Sequence, residues 1–348
     1  SVVNKIRFVN LQTTPKIIFP ASASEREVAP GTIITVNSGQ PSTAADVITA
    51  QFDNPHGITA TAQGLFIADS RGGKVTQSGT QRRTGLIRFI NTTSSPVTMY
   101  PGAAAPGPTV GPGEVAVIAG GSLSGDINNV GDGASPLAAR FIGPTDIAVH
   151  PTNGNIYVAD AGHRRVRVIN RQTGAVSTLT ALPSISPNEY TGLSFDSQAR
   201  LLVVNAGNKQ ILREKSSGSG TFDTILTSGL LVRPRDVVEG TDGALYVINP
   251  GGETSTTVPA TTNHQILKVT LSGSTGTASV LLGAAENGYL GDGMPVGTST
   301  RIDIQPEPIN VSPVSPSVFV RTTVNIIVGR NGELIFADSK NNAVRRIR

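Results

Sequence analysis

The residues able to do chemistry on this chain are few in type. Cysteine is absent, which removes thiolate nucleophiles, thiolate metal sites and disulfides. Four histidines remain, His56, His150, His163 and His264, and an imidazole can titrate or bind a metal near neutrality. Among the acids, Asp146 and Asp236 occupy equivalent places in two similar stretches. Two such carboxylates could hold a cation, because hard oxygen donors suit Ca²⁺ or Mg²⁺; alternatively, each caps backbone N–H groups of a neighbouring unit. Asp69, Asp160 and Asp338, with Asn205 and Asn249 in the same slot, recur so regularly that a turn-fixing hydrogen bond is expected of them, not catalysis. No G-x-S-x-G, H-E-x-x-H, Walker or dinucleotide fingerprint occurs. A Ser/His/Asp triad drawn from distant positions stays open.

The elements that must position these residues are short strands. Gly (39) and Pro (23) are frequent, aromatic residues make up 4%, and no stretch keeps a helical apolar period for more than about two turns, the best candidates being 45–52 and 136–142. All-β is the expected class. Its clearest unit, FIGPTDIAVHPTNGNIYVADAGHRRVRVIN at 141–170, reads as a Pro-led strand, a Gly turn, an apolar strand ending in Asp, a polar turn and a third strand. The pattern returns from Phe52, Tyr190, Arg233 and Val324, with anchors Gly57, Asp146, Gly192, Asp236 and Asn325 spaced by 89, 46, 44 and 89 residues. Fourth strands are expected at 114–119, 176–181, 222–227 and 278–283. A period of about 45 residues with four strands per unit signals a β-propeller, because each sheet buries both faces only between neighbours.

The run Pro-x-Gly/Asp-Ile/Val, then Gly-x-Ile/Leu-Tyr/Phe-Val/Ile-Ala-Asp, then Asn/His-x-x-Val/Ile-Arg resembles the NHL repeat, and the loops at 131–144 and 291–306 resemble the blade linkers of its bacterial members. The resemblance implies a single propeller domain over 1–348 with six blades expected, five or seven also being consistent. Residues 307–322 could be a blade remnant or an insertion. A second internal repeat sets KIRFVNLQTTPKIIFP (5–20) over LIRFINTTSSPVTMYP (86–101). It is read as outer strands carrying inserted hairpins around 11–31 and 92–113, and it suggests a ring closed by N- and C-terminal strands.

In such a ring the residues at the start of each innermost strand lie at a channel mouth. His56, Thr145, Asp146, Arg235, Asp236 and Asn325 are therefore the expected ligand-binding set, with Asp146 and Asp236 as the metal ligands if there are any. The other three histidines fall in turns. The expected function is a non-catalytic binding platform for a protein, peptide or carbohydrate, with no cofactor beyond a conceivable Ca²⁺. The alternative is a metal-dependent propeller enzyme, lactonase-like or amidating-lyase-like, with its site at the channel.

Composition limits the partners. A net charge of +4 with pI near 9.5 permits anionic contacts, yet the pairs Arg82-Arg83, Arg164-Arg165 and Arg345-Arg346 read as solvated strand side chains, and dense basic clusters are missing. Nucleic acid is not an expected partner, no apolar run is long enough for a membrane span, and a monomer is expected. A charged fraction of 15% with abundant Ser, Thr, Gly and Asn leans towards a secreted or periplasmic bacterial protein, and the start at Ser1 suggests a processed or trimmed chain.

Overall fold

A computed structural model describes residues 6–9, 14–20, 22, 25–30, 32–35, 52–77, 80–121, 130–250, 264–283, 308–310, 319–321, 325–329, 332–338 and 343–347. Four antiparallel sheets of four strands follow one another along the chain. Blade I comprises Pro55–Ala60, Gly64–Gln77, Thr80–Asn91 and Val115–Gly120; blade II comprises Pro144–Val149, Ile156–Asp160, Arg165–Ile169 and Val176–Thr178. Blade III is built from Tyr190–Phe195, Leu201–Asn205, Gln210–Glu214 and Phe222–Thr227, and blade IV from Asp236–Glu239, Leu245–Asn249, Gln265–Ser272 and Thr275–Leu282. Blade V has three strands among the described residues, Ile326–Val328, Leu334–Asp338 and Ala343–Ile347.

Local sequence explains this order. The second strands IYVAD and LLVVN are buried at every position because each runs mid-blade, covered on both faces, so they read as apolar runs without alternation. The turn before each is closed by a residue in the left-handed region, Gly154, Ala199, Gly243 or Gly332, with φ between 57° and 80°. Hydrophobic clusters then fill the seams between blades. Ile87, Phe89 and Ile118 of blade I meet Ile147, Val158 and Ile169 of blade II. Similar clusters join II to III, III to IV, and IV to V.

The described residues form five blades, the lowest of the numbers the repeat allows, and Pro308–Asn310 pairs with Phe319–Arg321 as a separate two-stranded sheet. The helical candidate at 136–142 is a single 3₁₀ turn, Pro136–Ala138, and 45–51 lies outside the described residues. At the N-terminus Arg7–Val9 pairs with Ile33–Thr35, and Ile6, Phe19 and Val28 pack on Ile67, Ile90 and Val115 of blade I.

The inserted hairpins are visible as Lys16–Ile18 with Arg26–Val28 and as Val97–Thr98 with Thr109–Val110. Their internal repeat extends to backbone geometry. Phe19 and Tyr100, aligned in the two sequences, are both buried and both left-handed, at φ 53° and 50°. The second and third strands of blade I also run on past the blade as a ribbon, from the pair Gly73 with Thr84 to the pair Gln77 with Thr80.

Candidate functional site

The innermost strands of blades I to IV are irregular at their starts. The register shifts between Pro55 and Ile58, between Pro144 and Asp146, and between Tyr190 and Gly192. In blade IV the Arg235 N–H donates to the Ile248 carbonyl, 2.9 Å, while Asp236 is the residue paired with Ile248. This is a β-bulge, which re-aims the side chain of the extra residue. The bulge separates the expected site residues into two groups.

His56, Thr145 and Arg235 occupy the bulge and do not line the channel cavity. Thr145 is buried and donates to the Thr191 carbonyl of blade III, 3.2 Å. Arg235 is buried and bridges to Glu189 at 3.0 Å. The His56 Nε2 is buried with no hydrogen-bond partner among the described residues, and burial pushes the imidazole down to about 4, so it is neutral. Of the remaining histidines, His163 meets Asp160 at 2.7 Å, His150 meets Ser217 at 2.9 Å, and His264 is buried.

Asp146, Asp236 and Asn325 come together on the axis. Asn325 Nδ2 lies 3.3 Å from Asp146 Oδ1 and 3.4 Å from Asp236 Oδ2. Asp146 Oδ2 accepts the Leu193 N–H of blade III, 2.7 Å, and Asp236 Oδ2 accepts the Ile326 N–H of blade V, 2.9 Å. Asp236 Oδ1 accepts the Val237 N–H, 2.8 Å. Burial raises both carboxyls above their ordinary range, and the nearby Asp236 raises Asp146 further. Glycine at the intervening anchors is a steric need. A Cβ on Gly57 would stand 2.4 Å from Asp146 Cα, and one on Gly192 would stand 2.4 Å from the Arg235 carbonyl oxygen.

The acids also do not fit a resident cation. Every carboxylate oxygen of the pair already accepts an N–H, Asn325 turns its amide nitrogen towards them, and burial favours their protonated forms. Among the described residues no group of three or more His, Asp or Glu side chains is placed to hold a metal.

In blades I to IV the recurring Asp/Asn slot at the end of the second strand fastens the segment that enters the blade. Asp69 accepts from the Asp53 N–H (2.9 Å), Asp160 from Ile142 (2.8 Å), Asn205 from Glu189 (3.1 Å) and Asn249 from Val232 (3.0 Å). In blades I and II an Arg of the third strand completes the unit. Arg88 pairs with Asp69 at 2.8 Å and stacks over Phe52, and fully buried Arg167 pairs with Asp132 at 2.6 Å and stacks over Phe141. Asp132 belongs to the first Gly-Asp-Gly loop, so that loop serves an ion pair. Arg345 is buried as well while Arg346 is exposed, so the reading of that pair as solvated holds for Arg346 alone.

A cavity of about 400 Å³ follows the inner strands from Asp146, Asp236 and Asn325 to the turns beyond them. Its walls include Ile58 and Ile327, which are 42% and 53% exposed, and the part-buried Val149, Phe195, Val238 and Val328. Asp196 and Glu239 stand at its outer end, and no Lys, Arg or His lines it among the described residues.

Small antiparallel sheets seamed face to face around a channel define a β-propeller. Residues 141–169, the entry and first three strands of blade II, match the NHL repeat, so the chain is a β-propeller that carries an NHL repeat. No curated protein sequence matches it. Among solved structures, a Bacteroides thetaiotaomicron protein of unknown function is similar over 98% of this chain and 69% of its own, at 13% identity and a TM-score of 0.50. An auxiliary nutrient binding protein of Bacteroides ovatus is similar over 86% and 60%, at 12% identity and a TM-score of 0.48. A gluconolactonase-type structure is similar over 57% of each chain, at 17% identity and a TM-score of 0.37. The chain spans less than two thirds of the length of these last two. At such identities the likeness concerns the fold alone.

Proposed function

We propose that the chain is a non-catalytic binding propeller that receives an apolar segment of a protein or peptide partner in the channel cavity. The observation that carries this reading is the pair of exposed isoleucines, Ile58 and Ile327, on the wall of a preformed cavity. Large apolar side chains left in water at a concave site mark a surface that a partner covers. Asp196 is already paired with Arg200 at 2.8 Å, but Glu239, with no basic side chain among the described lining, favours a segment that also carries a Lys or Arg. The alternative, a metal-dependent hydrolase or lyase, would rest on the channel acids, whose oxygens are already engaged. About one tightly held metal ion per purified chain, by elemental analysis, would replace the binding reading with that one.

A peptide library selected on the wild-type chain tests the proposal. Selected peptides are expected to combine apolar and basic residues and to lose about tenfold or more in affinity for the Ile58→Asp/Ile327→Asp double variant, whose melting temperature stays close to that of the parent. Equal binding to the double variant refutes the site.

A further inference from the structure

A second cavity, about 750 Å³, lies at the outer turns of blades I and II and meets the channel cavity at Val149 and Pro151. Its roof is the inserted hairpin, through Pro96, Val97, Thr98 and Pro101. That hairpin is held firmly. Asn91 Nδ2 closes its base by donating to the Ser95 and Val110 carbonyls, both at 2.8 Å, and buried Tyr100 donates to the Ile118 carbonyl at 3.0 Å. The Gly102 N–H donates to the Gln172 carbonyl of blade II, 2.9 Å, so the roof spans both blades. An insertion that leaves a roofed, preformed hollow has the size and rigidity of a small-molecule site.

The charge within it is unbalanced. Arg171 is the only charged side chain among the described lining residues, and it is 9% exposed. Its Nη2 donates to the Thr98 carbonyl at 3.1 Å and to Gln63 Oε1 at 3.4 Å, while Nη1 is buried without an acceptor. No carboxylate pairs with it among the described residues. The adjacent Tyr100 phenol is raised by burial and donates its proton to a carbonyl, so it stays neutral. His150 is neutral too, since its Nδ1 accepts the Thr152 N–H, 3.2 Å, and burial lowers its pKa. A buried guanidinium with unused donors and no counter-charge calls for an anion.

We propose that this cavity binds a small polyhydroxylated ligand through an oxyanion, a carboxylate or a phosphate group, with Arg171 as the counter-charge. The oxyanion takes the place of Gln63 Oε1, the longer of the two contacts on Nη2. Thr61, Thr152 and Asn153 supply neutral donors and acceptors for hydroxyls, and Phe66 and Val97 give apolar contact for a ring face. This site borders the channel cavity at Val149 and Pro151 but shares neither Ile58 nor Ile327 with it, so its failure would leave the channel reading intact.

Calorimetric titration of the full chain with D-glucuronate, D-glucose 6-phosphate and D-glucose tests it. At least one of the two anions is expected to bind with 1:1 stoichiometry, and glucose about tenfold or more weaker, the loss of one charge-assisted hydrogen bond. The stronger anion identifies the oxyanion. Arg171→Met, which keeps the aliphatic stem, is expected to abolish the preference over glucose, and Asn153→Trp, which obstructs the cavity and spares the guanidinium, to abolish binding. Should Arg171→Met fail to fold, Asn153→Trp decides. No binding by either anion, equal binding of glucose, or undiminished binding by a folded variant of either kind overturns the proposal.

Discussion

Replacing Gly192 with alanine isolates the steric rule of the inner belt. The added Cβ would lie 2.4 Å from the Arg235 carbonyl oxygen and 2.7 Å from Asp236 Cα, both backbone atoms that no rotamer change can move aside. Ordinary contact begins near ~3.5 Å, so the inner strand of blade IV must retreat by about 1 Å. That retreat stretches the Ser194 hydroxyl bond to the Val237 carbonyl, 2.6 Å in the native seam. Overpacking costs roughly 1–3 kcal/mol and one weakened hydrogen bond about 1 kcal/mol, together about 2–4 kcal/mol. With an unfolding entropy of about 2.1 cal/mol/K per residue, the 348 residues convert this to a melting point lower by about 3–6 °C. Gly229→Ala is the control, since nothing lies within 4 Å of its Cβ position and its φ is outside the left-handed region. It should melt at or slightly above the parent, the unfolded chain losing entropy. Thermal unfolding followed by circular dichroism compares the two. If Gly192→Ala melts within a degree of Gly229→Ala, the anchors do not touch as described.

Two further predictions concern buried charge. Burial raises Asp236 from 3.8 to about 7, so its contribution to stability is fully present below pH 3.8 and is lost as pH rises through 7. Between pH 5 and 8 the urea midpoint of the parent should therefore fall, and that of Asp236→Asn should fall less; a parent midpoint that rises across this window would contradict the protonated pair. Arg167→Met should cost about 3–5 kcal/mol by removing the buried ion pair with Asp160 and the donors to the Val130 and Arg140 carbonyls, whereas Asp132→Asn, at a carboxylate 42% exposed, should cost about 1 kcal/mol or less. Similar losses for both, measured by urea denaturation, would place the stabilisation in the exposed pair.

The fold was legible wherever it depended on period. The anchor spacing locates the inner strands, and the fourth strand expected at 222–227 is Phe222–Thr227. The one expected at 278–283 begins earlier, at Thr275, because Gln265–Ser272 and Thr275–Leu282 form one long hairpin over the polar turn between them. What stayed hidden depends on where a single residue is added or on contacts between units. Thr145 and Arg235 look like channel residues beside Asp146 and Asp236, yet the bulge turns them into the seams, and no composition signal announces a bulge. Nothing in the sequence marks Arg167 as buried, because its carboxylate partners, Asp132 and Asp160, stand 35 and 7 residues away and meet it only once the linker has closed. The cavity under the hairpin was invisible for the same reason: its roof and its Arg171 come from different blades.

The inner belt constrains where function can reside. Asp146 ties blade II to III and Asp236 ties blade IV to V, while Gly57 and Gly192 let the backbones meet closely at the alternate seams, I to II and III to IV. A side chain that fastens one blade to the next cannot also reorient around a ligand without loosening the ring, and a buried acid that holds its proton is a poor base. The anchors therefore form the floor of the channel, and recognition falls to groups free of that duty. On the axis these are Ile58 and Ile327, set on the outward halves of strands whose inward halves are already locked. Off the axis they are the inserted hairpin and Arg171, joined across blades I and II by the Gly102 bond to Gln172 but taking no part in the inner belt.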